Sequence, residues 1–218
     1  MRLPLLIIGL LFSLTFTKAQ SEQSSLDVMY LLEEEKLARD VYSALFDEWG
    51  MQVFDHIKAS EQRHLDLMIG LAKKDKLTLP TTLDKVGVFE NASLQKAYKE
   101  FVTKGKKSKL EALKVGAKIE EMDITDLKSA IKSSSEEDKA VYEKLLKASY
   151  NHLRAFSKNI SKQGQTYEPV VLTTEAYGEI INSPKQGCDD AKMGDQKACC
   201  KGNAKQKCDK KREKNCSN

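Results

Sequence analysis

Histidine is scarce in this chain, cysteine is absent before Cys188, and no stretch after Phe16 is apolar enough to cross a membrane. Only His56, His64 and His152 occur among 218 residues, so imidazole chemistry is confined to very few positions. The five cysteines, Cys188, Cys199, Cys200, Cys208 and Cys216, include no Cys-x-x-Cys pair, which removes the usual zinc-ribbon spacing. The one long apolar run, Leu3 to Phe16, is short of the ~20 residues that a stable span requires.

That run follows Arg2 and precedes Thr17-Lys18-Ala19, the charged, apolar and small-residue order of a secretory leader. The expectation is a leader over 1–19, cleaved after Ala19, and a secreted or periplasmic soluble product. An uncleaved N-terminal anchor is the alternative. The other end changes composition at Ser183: the segment 183–218 carries ten basic and five acidic residues, whereas 20–182 carries 24 basic and 27 acidic. A mildly acidic domain over 20–182 thus bears a basic, cysteine-rich tail with too few large apolar residues for a core. In an exported protein these cysteines are expected to be oxidised, leaving the tail disulfide-tied or disordered, with a soft metal ion as the sharper alternative. Its charge suits an anionic envelope surface, and solvated lysines are the plain alternative.

Between these ends the apolar residues recur at helical spacing. A first helix is expected over about Leu26 to Trp49, ended by Gly50, and a second over Val53 to Lys73. A connection containing Pro80 and a short helix from Leu94 to Thr103, with Asn91 and Ser93 as candidate caps, leads to long helices over Ser108 to Lys132 and Glu136 to Ile160. A last short helix covers Thr174 to Ile181. The length of the connection suits a crossover between two helix pairs. The expected class is all-α, a four-helix bundle with a long crossover.

Polar residues fall within the apolar stripes of all four long helices. At about 100° per residue, Glu61 and His64 share the buried side with Phe54, Ile57, Leu65 and Met68. Glu35 lies centrally in the first stripe, whereas Glu33 lies opposite, where a solvated acidic residue near a helix start is ordinary, and Glu34 lies at the edge. In the third long helix Glu120 and Asp123 point inward and Glu121 outward, provided Asp123-Ile124-Thr125-Asp126 does not kink it. In the fourth, Ser149 and His152 point inward. His56 faces outward. A buried carboxylate costs several kcal/mol unless it is paired or metal-bound, and mixed carboxylate and imidazole ligands suit iron, manganese or zinc. Glu35, Glu61, His64, Glu120 and His152 are therefore the candidate metal ligands. A core network of these residues with Arg39 is the alternative.

The segment Glu35-Lys36-Leu37-Ala38-Arg39-Asp40-Val41-Tyr42 resembles the first-helix Glu-x-x-Ala-x-x-x-Tyr of bacterioferritins and rubrerythrins. Glu61-Gln62-Arg63-His64 is similar to their second-helix Glu-x-x-His, and Glu120 to Ile131 to their third-helix ligand segment. More closely, about residues 26–182 resemble an uncharacterised bacterial ferritin-like domain family. The shared stretches are Glu33 to Asp40, Gly87-Val88-Phe89, Ile119 to Ile124, Asn151 to Phe156 and Tyr167-Glu168-Pro169. The resemblance implies a di-iron site with Tyr42 near it, and ferroxidase or peroxide-reducing chemistry as the activity class. Ser149 stands where a second Glu-x-x-His would have its glutamate, so one metal position is expected to have fewer protein ligands. Metal ions are the expected partners, nucleic acid is not, and a homodimer is left open. The competing function is a non-enzymatic envelope scaffold acting through the tail.

Overall fold

A computed structural model of the chain describes residues 8–184, with side chains from residue 28 onward. The expected leader and the cysteine-bearing part of the tail lie outside the residues whose side chains are described. The described residues form α1 (Ile8–Trp49), α2 (Gln52–Lys74), α3 (Ala92–Gly105), α4 (Lys109–Ser133), α5 (Glu136–Ser161) and α6 (Thr174–Asn182), with no strand among them. None of these helices is long and apolar enough to cross a membrane. The all-α expectation and most helix bounds hold within two residues.

The exception is α1, which is already helical at Ile8, the first described residue, well before Leu26. Neither proline nor glycine occurs from Leu10 to Trp49, and a helix once nucleated extends through such a run at little cost. It stops at Gly50, whose φ of +62° suits a residue without Cβ. Side-chain caps begin α3, α4 and α5. Asn91 Oδ1 accepts from the amides of Ser93 and Leu94, Ser108 Oγ from Glu111, and Ser135 Oγ from Asp138, each contributing about 1 kcal/mol. The sequence Asp123 to Asp126 does not break α4, which continues to Ser133.

The long helices pack α1 on α2, α4 on α5, α1 on α4 and α2 on α5. Tyr42 meets Gly116 while the earlier Glu34 stands beside Asp126, so α1 and α4 run antiparallel. Phe54 packs on Phe156 while Lys74 pairs with Asp138, so α2 and α5 do too. Short turns join α1 to α2 and α4 to α5, and α2 and α4 consequently point the same way. The connection 75–108 must return along the helices, and α3 within it ends where the Trp49 indole donates to Gly105 O at 3.0 Å.

Buried charges on the outer faces of α1 and α4 hold this connection and the later loop. Glu33 accepts from the Glu90 and Asn91 amides at 2.7 and 2.8 Å. Lys36 donates to Asp40 at 2.6 Å and to the carbonyls of Lys85 and Val88 at 2.9 and 3.1 Å, and Asp40 accepts from the Gly87 amide at 2.9 Å. Gly87 has φ +73°, and a Cβ there would stand 2.6 Å from the Tyr98 ring. On α4, Glu121 accepts from the amides of Val170, Val171 and Leu172 and from the Tyr167 hydroxyl. The expectation that Glu33 and Glu121 face solvent is corrected: both are buried, because folded-back loops cover the outer faces that a helix-angle reading leaves open. Hydrogen bonds to charged groups contribute about 1.5–3 kcal/mol each, which offsets the burial of these carboxylates.

Two apolar clusters fill the interior. One contains Leu37, Val41, Tyr42, Leu45, Phe54, Leu113, Leu153 and Phe156, and the other Leu31, Leu32, Leu65, Met68, Leu127 and Leu145. Each fully buried leucine or phenylalanine contributes roughly 2 kcal/mol. In α1, α2 and α5 the change from one cluster to the other falls at a polar position: Glu35, Glu61 with His64, and Ser149 with His152.

Candidate metal centre

The antiparallel helix pairs bring Glu35, Glu61, His64, Glu120 and His152 together at this boundary. All five are buried, with Glu120 at 0% and Glu61 at 1% exposure. Helical spacing sets Glu61 and His64 on one face of α2, and His64 Nδ1 lies 2.7 Å from Glu61 Oε2 and 3.3 Å from Glu35 Oε2. From α5, His152 Nδ1 lies 2.8 Å from Glu61 Oε1 and 3.4 Å from Glu120 Oε2. The two imidazoles stack with centroids 5.5 Å apart. Glu61 thus stands between two histidines, one facing each carboxylate oxygen.

Two groups each offer three ligand atoms within 4.8 Å of one another: Glu35, Glu61 and His64, and Glu61, Glu120 and His152. Glu61 belongs to both. Its short contacts with the imidazoles are not aligned as hydrogen bonds, so both Glu61 oxygens, Glu120 Oε2 and His152 Nδ1 are buried without a hydrogen-bonding partner. His64 Nδ1 shares a hydrogen bond with Glu35 Oε2 at 3.3 Å, whereas the atoms around Glu61 converge without one; such atoms fit a common metal ligand sphere, and a carboxylate with one oxygen on each side fits a bridge. Each group has one glutamate and one histidine of its own and shares Glu61. Ser149 is buried but turns its hydroxyl to Leu145 O at 3.2 Å.

Burial and mutual charge set the protonation of the cluster. Burial raises Glu35 to about 7 against the opposing pull of His64. For Glu61 burial acts upward as well, but His152 and His64 together outweigh it and hold the carboxyl below its ordinary range. Burial acts downward on His64 and is outweighed by Glu61 and Glu35, which carry it up to about 9. The same balance, with Glu61 and Glu120, raises His152. Burial chiefly raises Glu120. Carboxylates and imidazoles that stabilise each other's charged forms are poised to exchange protons for cations.

Around the centre, Tyr42 donates to Glu120 Oε1 at 2.7 Å, and its ring packs on Phe156 and Phe54 at centroid distances of 5.3 and 6.0 Å. Burial and then Glu120 raise the Tyr42 hydroxyl well above its ordinary range, so it remains a donor. Ser60 Oγ lies 3.4 Å from His64 Nε2, on the ring nitrogen away from the carboxylates. Arg39 does not enter the cluster; it pairs with Asp40 and donates to Gln62 Oε1 at 2.8 Å. His56 is exposed on α2, as its helix angle indicates. Sequence reasoning passed over Glu34, which is buried between α1 and α4 although its angle places it at the stripe edge. The signal available was its position beside Glu35, opposite the inward Asp123.

The profile of the uncharacterized protein domain DUF2202 matches residues 25–184. This chain belongs to the DUF2202 family. The uncharacterized protein MJ0754 of the archaeon Methanocaldococcus jannaschii is 44% identical over 164 residues, covering 75% of this chain and 89% of that protein. The crystal structure of hypothetical protein MJ0754 superposes with a TM-score of 0.72 at 44% identity, over 74% of this chain and 93% of that one. The expected resemblance of about residues 26–182 to an uncharacterised domain family agrees with the DUF2202 match, which by itself carries no ferritin-like relationship. Its description as bacterial is corrected, since the DUF2202 chain is similar to an archaeal protein.

Proposed function

We propose that this DUF2202 chain is a ferritin-like metalloprotein whose buried centre binds two divalent ions, iron foremost and manganese or zinc by the same ligand chemistry, with Glu61 as the bridge. The observation that carries the reading is the position of Glu61, shared by both three-ligand groups, with unbonded oxygens 2.7 and 2.8 Å from two imidazoles. Two antiparallel helix pairs linked by a returning connection support a ferritin-like four-helix bundle, which has one such crossover. In this reading the leader exports the domain.

Loaded with Fe(II), such a centre would give electrons to dioxygen or to peroxide, the iron being oxidised to Fe(III) and the peroxide reduced to water. The protein's own residues perform the binding and positioning. Glu35 with His64 and Glu120 with His152 would hold one ion each, with Glu61 shared between them. Tyr42 orients Glu120 through its hydroxyl and keeps its proton. The apolar clusters on either side exclude water and strengthen the electrostatic hold on bound cations.

The test is elemental analysis of the full chain after anaerobic Fe(II) loading and desalting, beside the double variant Glu61→Ala/His64→Ala. About two irons per chain in the wild type, as in carboxylate-bridged bundles, and their loss in the variant are expected. Equal metal content in the two proteins would sink the reading.

A further inference from the structure

Beyond the five candidate ligands, α4 carries a second row of carboxylates. Glu120, Asp123 and Asp126 recur at three-residue spacing, so they lie along one side of the helix at steps of about 4.5 Å. Exposure changes in order along that row: Asp126 is half-buried, Asp123 is 1% exposed and Glu120 is 0% exposed. From α1, Glu34 faces the same seam, with Asp126 in contact and Glu35 beside it. Asp123 in turn lies within electrostatic range of Glu34, Glu35, Glu120 and Glu61. The row runs from the surface to both metal groups.

These carboxylates are not satisfied by the protein. Both oxygens of Glu34 and both of Asp123 are buried with no donor. The contact between Glu34 and Asp126 joins two acceptors and becomes a hydrogen bond only with a shared proton. By contrast, buried Glu33 and Glu121 each collect backbone amides. Unpaired buried carboxylates cost several kcal/mol, and oxygen-only ligands suit hard divalent cations that retain part of their water. No three ligand atoms of Glu34, Asp123 and Asp126 form a compact group like the two at the centre, which favours passage over retention.

We infer that Asp126, Glu34 and Asp123 form a transit site through which a partly hydrated divalent cation passes along the α1–α4 seam to the buried centre. The inference rests on the reading of that centre as a metal site. Asp126 captures the cation, Glu34 and Asp123 carry it inward, and Glu35 and Glu120 receive it. Carboxylates along such a route offer an incoming cation ligand oxygens at each step, and their loss is expected to slow association by about tenfold or more.

The test uses Co(II) with the metal-free full chain, following visible absorbance by stopped flow and final content by elemental analysis. For Glu34→Gln/Asp126→Asn, the expected result is wild-type final Co(II) content reached at least about tenfold more slowly. Should the double variant fail to fold, Asp126→Asn alone, at a half-buried position, is expected to slow loading several-fold. Wild-type loading rates in the folded variant, or a lower final content, would overturn the transit site while leaving the centre in place. If the wild type takes up no Co(II), the metal centre and the transit site both fall.

Discussion

Glu61 Oε1 and His152 Nδ1 lie 2.8 Å apart in the buried interior without forming an aligned hydrogen bond. The opposite oxygen of Glu61 stands in the same relation to His64 at 2.7 Å. Two close contacts on one carboxylate, neither satisfied, make Glu61 the residue on which both halves of the proposed centre depend.

The three glutamates should therefore differ in what their loss removes. Glu61→Gln is expected to reduce anaerobic Fe(II) binding from about two ions to near zero, whereas Glu35→Gln and Glu120→Gln each remove about one. Equilibrium dialysis measures the three stoichiometries. Equal losses in all three variants would remove the bridging role from Glu61.

Stability of the metal-free protein should fall from pH 6.5 to 9. His64 has its folded pKa raised from 6.5 to about 9, so the stability it contributes is complete below pH 6.5 and is lost as the pH rises through 9. Glu35, raised from 4.5 to about 7, acts in the same sense over a more acidic interval. Glu61 is lowered and acts oppositely: its contribution is present above 4.5 and is lost on acidification below that. Metal binding displaces the imidazole protons, so the Tm gained on adding Zn(II) should grow between pH 6.5 and 9. Differential scanning fluorimetry with EDTA or Zn(II) reads both trends; a flat metal-free profile with a constant Zn(II) increment would be inconsistent with this protonation scheme.

Glu121 is expected to matter for folding and not for metal. Glu121→Ala leaves three loop amides and the Tyr167 hydroxyl without their acceptor, at a cost of about 3 kcal/mol. Urea unfolding and limited proteolysis should show lower stability and new cleavage within 166–172. Metal content in the surviving folded fraction should stay at the wild-type value.

Gly116 couples packing to the centre. A Cβ at this position would stand 2.5 Å from the Phe156 ring, which packs on Tyr42, the donor to Glu120. Gly116→Ala should cost roughly 1–3 kcal/mol by overpacking and weaken metal binding at the Glu120 and His152 position more than at Glu35 and His64. Isothermal titration that found both positions unchanged would mean Phe156 yields without moving Tyr42.

Most of the fold was legible because its signals are local. Asn91, Ser108 and Ser135 announce helix starts, Gly50 announces a stop, and the helical period places Glu35, Glu61, His64, Glu120 and His152 inward. The extension of α1 before Leu26 was not legible, since a run without proline or glycine offers no boundary. Glu33, Lys36, Asp40 and Glu121 were misjudged or passed over for a different reason. A helix wheel records which side faces other helices, whereas these residues are buried by loops 85–91 and 167–172, whose path depends on the completed helix packing. The inward position of Ser149 was readable, but not its bond to Leu145 O, which follows from the local helix backbone once no neighbour claims the hydroxyl.

The most direct test is a crystal of the full chain soaked anaerobically in Fe(II), with anomalous diffraction recorded at the iron edge. Two peaks are expected, one among Glu35, Glu61 and His64 and one among Glu61, Glu120 and His152, with an oxygen of Glu61 toward each. No peak at either position in a crystal exposed to saturating Fe(II) would contradict the proposed centre.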